Sequence, residues 1–190
     1  MFEKAFKKTS FYEGGYSNHS KDNGGETYKG ISRVYHSKWE GWKIIDKFSD
    51  KSDLQYNKTL QKQVKEFYKE KFWDSVKLDM ISILYEKTAI ELFDIAVNMG
   101  TQTAGKMFQR ALNILNRDEL NYSDLKVDGL IGKNTLNSLD IYNKKNNETD
   151  FLKLILLLKA KKYIDIVESN TNQEVFIRGW LKRINLFFKE

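Results

Sequence analysis

A chain of 190 residues with 41% hydrophobic and 14% aromatic side chains can pack one domain, or two small lobes sharing a core, and is far from the composition of a disordered chain. It has no cysteine, which excludes disulfides, thiolate zinc sites and a cysteine nucleophile. Its only two histidines, His19 and His36, match no familiar helix-borne zinc pair, so neither a metal nor a cofactor is expected. The net charge of +6 is compatible with a polyanionic partner or with a plain solvated surface of lysine-rich helices.

The opening MFEKAFKKTSFYEGG mixes charged and aromatic residues and lacks the uninterrupted apolar core of a Sec-type signal. It reads as a short helix with Phe2, Ala5 and Phe6 on one face, running into Glu13 and stopping at Gly14-Gly15. Residues 13–31 read as irregular, with a short β-hairpin expected within residues 22–35. Helical spacing returns with Leu60, Val64, Phe67 and Phe72, continues through Ile81, Leu84, Ala89, Leu92, Phe93 and Ala96, and is cleanest from Ala104 to Leu115, with Thr101 and Thr103 as expected caps. A second irregular stretch, 117–133, ends in a DGxxG turn that leads to Thr135 as the expected cap of the next helix. Residues 143–147 (NKKNN) read as a surface loop. Residues 150–168 are apolar around much of the helix and are expected to lie centrally in a bundle. A last helix is expected over 173–188, carried by Val175, Phe176, Trp180, Leu181, Ile184 and Phe187. The longest aliphatic run, Leu154 to Leu158, is too short to span a bilayer. The fold class is therefore all-α, mainly helical, with halves 1–97 and 98–190 expected to pack as one unit.

Five of the 11 glycines fall at Gly14, Gly15, Gly24, Gly25 and Gly30. Glycine permits positive φ and close approach to the backbone, and such segments concentrate at functional sites. Glu13 opens this segment. A carboxyl group in the last turn of a helix faces the negative end of the dipole, and Phe11, Tyr12 and Tyr16 would desolvate it; both effects raise its pKa. A carboxylic acid kept protonated near neutral pH is what a general acid for glycoside cleavage requires. Asp22 follows nine residues later and Thr27 five beyond it. In an inverting glycosidase a second carboxylate about 6.5–9.5 Å from the first activates a water, and a hydroxyl can help to position it. Glu26 competes for the base role, and Asp22 also suits a turn before Asn23-Gly24.

Sugar clefts combine aromatic faces with amides that bond hydroxyl and N-acetyl groups, which makes Tyr16, Tyr28, Trp73, Asn98, Gln109 and Trp180 the substrate-binding candidates. Core packing is the competing role for Trp73 and Trp180. Asn98 interrupts the apolar run Ile95–Met99 and needs a partner, in the core or in the cleft.

The residues E-G-G-Y at 13–16, D at 22, G-G-E-T at 24–27 and G-I at 30–31 together resemble the signature of glycoside hydrolase family 108. The spacing of Glu13, Asp22 and Thr27 is also similar to the Glu–Asp–Thr arrangement of phage-type lysozymes. The second half resembles that family's peptidoglycan-binding region through Asp94, Asn98 and Gly100, Phe108-Gln109 with Asn113, Asp128-Gly129 with Gly132 and Thr135, and Gly179-Trp180. The resemblance implies a lysozyme-like N-acetylmuramidase that hydrolyses the β-1,4 bond between N-acetylmuramic acid and N-acetylglucosamine, with Glu13 as the essential acid. It implies peptidoglycan as partner, no nucleic acid, no integral membrane segment and a monomer, acting at the wall as an endolysin or secretion-associated enzyme after release by a holin or secretion machinery. The alternatives are a lytic transglycosylase, which needs only the glutamate, and a non-catalytic peptidoglycan-binding protein. Where relatives carry proline around Asp22, this chain has Ser20 and Asn23, which leaves that loop less rigid.

Overall fold

Helix α1 (Phe2–Ser10) forms on the expected apolar face: Ala5 is fully buried, Phe2 and Phe6 stack at 5.6 Å, and Phe6 meets the Tyr68 ring at 5.5 Å. The computed structural model describes residues 1–10, 15–18 and 25–184, and its contacts divide the chain into two units, Phe2–Lys71 and Phe72 onward together with Met1. Glu13 and Asp22 fall outside the described residues.

In the first unit a small antiparallel sheet follows α1, with strands β1 (Tyr16–Ser17), β2 (Thr27–Tyr28) and β3 (Ile31–Ser32) in that order. The hairpin expected within 22–35 is β2–β3, with Tyr28 opposite Ile31, and β1 adds a third strand. Its two-residue turn, Lys29-Gly30, has φ of 45° and 77°, the positive pair that matches the right-handed twist of the flanking strands. Helix α2 (Gly41–Ile45) and a 3-10 turn (Lys51–Tyr56) lead to α3 (Lys58–Tyr68), whose first turn is capped by the Asn57 side chain accepting from the Leu60 amide at 2.9 Å. Leu60, Val64 and Tyr68 form the buried stripe of α3. Helix α3 also holds the hairpin: Gln61 Nε2 donates to the Tyr28 hydroxyl at 2.9 Å and to the Leu54 carbonyl at 3.0 Å, and the Tyr68 hydroxyl donates to the Lys29 carbonyl at 2.8 Å.

A π-helical turn (Lys69–Asp74) leads from α3 to the second unit, built of α4 (Leu78–Leu84), α5 (Glu86–Met99), α6 (Thr101–Leu115), α7 (Lys133–Asn143), α8 (Glu148–Ser169) and α9 (Glu174–Leu181). Helix α5 is central. Residues 88 to 96 are all buried, and α4, α6 and α8 pack around it. The expected boundary at 97/98 falls inside this helix, so the halves 1–97 and 98–190 do not coincide with the units the contacts define. Helix α6 starts after Gly100 (φ 91°) without a side-chain cap, so neither Thr101 nor Thr103 fills the expected role. Helix α7 likewise starts after Gly132 with no side-chain cap, and Thr135 lies at the third helical position, buried. Gly105 and Gly129 let α6 and the following loop cross closely: a Cβ on Gly105 would stand 2.0 Å from the Gly129 carbonyl oxygen.

Helix α8 is packed on α5 and α6 by Phe151, Ile155 and Leu156, while Leu157 and Ile164 remain half exposed, so it is less enclosed than its composition implies. Of the expected closing helix, α9 covers Glu174–Leu181. Its Trp180 stacks on the Tyr163 ring of α8 at 5.0 Å, and Val175 is 78% exposed.

The least expected core residue is Lys159, fully buried on α8. Its ammonium donates to Asp94 Oδ2 at 2.7 Å, to Glu91 Oε2 at 3.1 Å and to the Arg183 carbonyl at 3.1 Å. Burial alone would pull its pKa down, but the Glu91 and Asp94 carboxylates outweigh that and hold it above the ordinary lysine value. Removing one partner of such a cluster strands the others in low dielectric. Lys159→Met is expected to lower the unfolding free energy by about 3–5 kcal/mol, read from urea denaturation followed by far-UV circular dichroism.

Candidate functional site

The hairpin displays the described part of the glycine-framed segment. The Lys29 amide donates to the Gly15 carbonyl at 3.0 Å, so the residue that follows Glu13-Gly14 is tied to the β2–β3 turn. In this register Ser17, Thr27 and Ser32 lie opposite one another on one face of the sheet, and Tyr16, Tyr28 and Ile31 on the other. Thr27 is half-buried and donates its hydroxyl to the Gly25 carbonyl at 3.2 Å, which leaves the oxygen's lone pairs as acceptors.

Glu26, the rival base, is occupied. One carboxylate oxygen accepts from the Tyr16 hydroxyl at 2.9 Å and the other pairs with Arg33 Nη1 at 2.9 Å. Arg33 in turn reaches Asp46 at 2.6 Å and lies over the Trp42 ring at 4.6 Å. Burial and the bond to Glu26 hold the Tyr16 phenol above its ordinary pKa. A recess of about 500 Å³ opens beside Gly15, lined by Tyr16, Tyr28, Lys29, Lys51, Ser52 and Gln55. The Lys29 ammonium donates to Gln61 Oε1 at 2.6 Å, and burial lowers its pKa. The Lys51 ammonium lies 5.6 Å from the Tyr16 ring centroid and donates to the Ile45 and Phe48 carbonyls. Sequence reasoning passed over Arg33, Lys29 and Lys51; the early signal for Lys29 and Arg33 was proximity to Gly30, and Lys51 had none.

Of the six substrate-binding candidates, Tyr16 and Tyr28 lie in the first unit and Trp73, Asn98, Gln109 and Trp180 in the second. Tyr16 and Tyr28 share the recess, although only Tyr16 is appreciably accessible, since Tyr28 is 2% exposed. Trp73 is fully buried in the second unit, its indole N–H bonded to Asp79 at 2.7 Å and its ring against Phe93. Asn98 finds its partners locally: it donates to the Asp94 carbonyl at 2.7 Å and accepts from Arg183 at 2.6 Å. Trp180 stacks on Tyr163 and Phe176.

Gln109 is 2% exposed and fully engaged: Nε2 donates to Asp128 at 2.9 Å and to the Leu130 carbonyl at 3.0 Å, and Oε1 accepts from the Gly129 amide at 2.7 Å. It belongs to a ladder on α6. Four residues on, Asn113 exchanges two hydrogen bonds with the backbone of Leu125; three further, Asn116 bonds the Tyr122 carbonyl and the Asn121 amide. The ladder fastens the irregular 117–133 stretch to α6. Among the described residues no group of three His, Cys, Asp or Glu side chains is arranged to hold a metal ion, and no helix is long and apolar enough to cross a membrane.

Two family models match the chain. A family model described as "Glycosyl hydrolase 108" matches residues 6–100, and one described as "Predicted Peptidoglycan domain" matches residues 103–185. Among solved structures, the chain is similar to the structure of Brucella abortus SagA, at 26% identity and a TM-score of 0.60, covering 96% of this chain and 88% of that one. No curated protein matches.

If Gln109 serves the loop and not the sugar, Gln109→Leu should orphan the Gly129 amide and the Leu130 carbonyl and cost about 1–3 kcal/mol in thermal unfolding. The KM for peptide-stripped glycan measured below the transition should be unchanged.

Proposed function

The chain belongs to the glycosyl hydrolase 108 family and is a peptidoglycan hydrolase, and from that premise we propose that it is a muramidase in which Glu13 is the general acid and Asp22, helped by Thr27, activates the attacking water. Glu13 would give its proton to the oxygen linking N-acetylmuramic acid to N-acetylglucosamine as the bond to the anomeric carbon breaks. Water adds to that carbon, and Asp22 takes the proton the water loses. The Thr27 hydroxyl, donating to the Gly25 carbonyl, has lone pairs left to accept from the water.

The observation that carries this reading is the state of Glu26. With one oxygen on Tyr16 and the other paired with the Arg33 guanidinium, each of its oxygens is already engaged inside the protein, and it braces β1 and β2 against the segment after β3. That leaves Asp22 as the acidic partner in the glycine-framed segment. The recess beside Gly15 supports the same reading, because Glu13 is two peptide bonds from that glycine and the Tyr16 ring offers an apolar surface for a pyranose.

Glu13→Gln is expected to reduce the release of reducing ends from purified peptidoglycan by about 10²–10⁴-fold while binding to sacculi persists. Retained cleavage would remove Glu13 from the acid role. Asp22→Asn should also lose activity, whereas Glu26→Gln should keep cleavage within tenfold of wild type and lose stability. Mass spectrometry of the digest should show reducing-end muramic acid; its 1,6-anhydro form would identify a lytic transglycosylase instead.

A further inference from the structure

The second unit contains a groove of about 620 Å³ between the amide-fastened loop and the N-terminal half of α7. Three independent features of it point to one kind of ligand. Helix α7 opens into it uncapped: Gly132, Lys133, Asn134 and Thr135 all line the groove, no side chain caps the helix, and the first helical bond is from the Leu136 amide to the Gly132 carbonyl at 3.1 Å. The preceding amides therefore have no intrahelical acceptor and present a positive end.

Two hydroxyls are held beneath that end. Thr135 is 3% and Ser138 is 5% exposed, both line the groove, and neither hydroxyl has a hydrogen-bond partner among the described residues. Neither oxygen is among the described atoms sealed from solvent without a partner, so both hydroxyls are open to the groove and available to a ligand. The third feature is charge. Lys126 and Lys133 both line the groove; Lys133 has no ion pair among the described residues, and Lys126 lies close enough to Asp128 to favour its ionised form, whereas Lys144 at the far end of α7 is paired with Asp140 at 3.0 Å. Asp124 and Asp128 also line it, and the bonds from Gln109 and the Leu130 amide keep the Asp128 carboxyl below its ordinary pKa, hence ionised.

Uncapped amides and two ammonium groups call for a carboxylate. Acidic side chains in the same groove call for amines or amides beside it. A peptide carrying both fits this mixture, and a neutral sugar does not. We propose that this groove binds the carboxylate-bearing stem peptide of peptidoglycan, separately from the glycan-cleaving site. The proposal rests on peptidoglycan being the substrate, and it adds which portion of the polymer the second unit grips. The bare lactyl carboxylate of a peptide-free muramic acid is the other source of the same chemistry.

The test uses the full-length Glu13→Gln protein, so that no ligand is consumed, and 15N-edited NMR titration with three probes: a free stem tripeptide, peptide-stripped glycan oligomers, and inorganic phosphate. Expected are saturable shifts for amides of residues 122–141 with the tripeptide, weaker shifts with the other two, and at least tenfold weaker tripeptide binding for Lys126→Gln/Lys133→Gln and for Thr135→Val, each with an otherwise unchanged spectrum. Both variants rebuilt on the active Glu13 background should cleave peptide-stripped glycan at the wild-type rate. Shifts of equal strength with stripped glycan would transfer the site to the lactyl carboxylate and overturn the stem-peptide assignment. So would equal binding of phosphate, a generic anion site, or no shifts in 122–141 with any probe. None of these outcomes touches the Glu13 reading, which fails only through retained cleavage by Glu13→Gln.

Discussion

Backbone groups in irregular segments must find hydrogen-bond partners once they leave bulk water, and in this protein side-chain amides on helices supply many of them. The chain has no proline to stiffen its loops. Gln61 on α3 instead serves three clients at once, the Leu54 carbonyl, the Tyr28 hydroxyl and the Lys29 ammonium, and so joins the 3-10 turn and the hairpin to one helix. Gln109, Asn113 and Asn116 do the same for the loop ahead of α7. Asn57 and Asn147 cap α3 and α8. Each bond contributes only about 1 kcal/mol net, but losing one partner leaves an unsatisfied group at a higher cost, so these amides act as register pins more than as glue.

The same constraint separates residues that hold loops from residues that meet ligands. Glu26 and Gln109 both lie in motifs shared with wall-degrading enzymes, and both spend their polar atoms inside the protein. Thr27, Thr135 and Ser138 keep bonding capacity in reserve. Unspent capacity at a place where the backbone is already fixed is the better indicator of a site, because the fold gains nothing from leaving it open.

Much of the helical architecture was legible from apolar spacing alone, since Leu60, Val64, Ala89, Leu92, Phe93, Phe108, Leu112 and Phe151 all reach the core. The hairpin was legible from Gly24, Gly25 and Gly30. Lys159 was not. A lysine in the run KAKK reads as solvated, and it is buried only because Glu91 and Asp94 reach it from α5, more than sixty residues away in sequence. Caps were misread for a different reason: each helix begins one residue after a glycine, Gly100 with its positive φ of 91° and Gly132 in extended backbone, so the threonines downstream fall inside the helix. Trp73 and Gln109 suited a sugar cleft by residue type, but residue type cannot distinguish a polar atom facing a ligand from one facing a neighbouring loop. In the candidate site, the glycine frame and Thr27 came from the sequence, while the commitment of Glu26 to Arg33 depends on a contact whose geometry only the fold defines.

The basic charge takes on a more specific meaning in this light. Lys43, Lys62, Lys144, Lys153 and Lys161 are each paired with an acid three or four residues away, and such exposed pairs contribute about 0–1 kcal/mol and are screened further by physiological salt. A net charge of +6 spread in that way attracts a polyanionic wall without selecting any part of it. Selection requires charge held against oriented amides, and Lys126 and Lys133 line the groove into which α7 opens. Attraction to the polymer and recognition within it are thus assigned to different lysines, and salt should weaken the first much more steeply than the second.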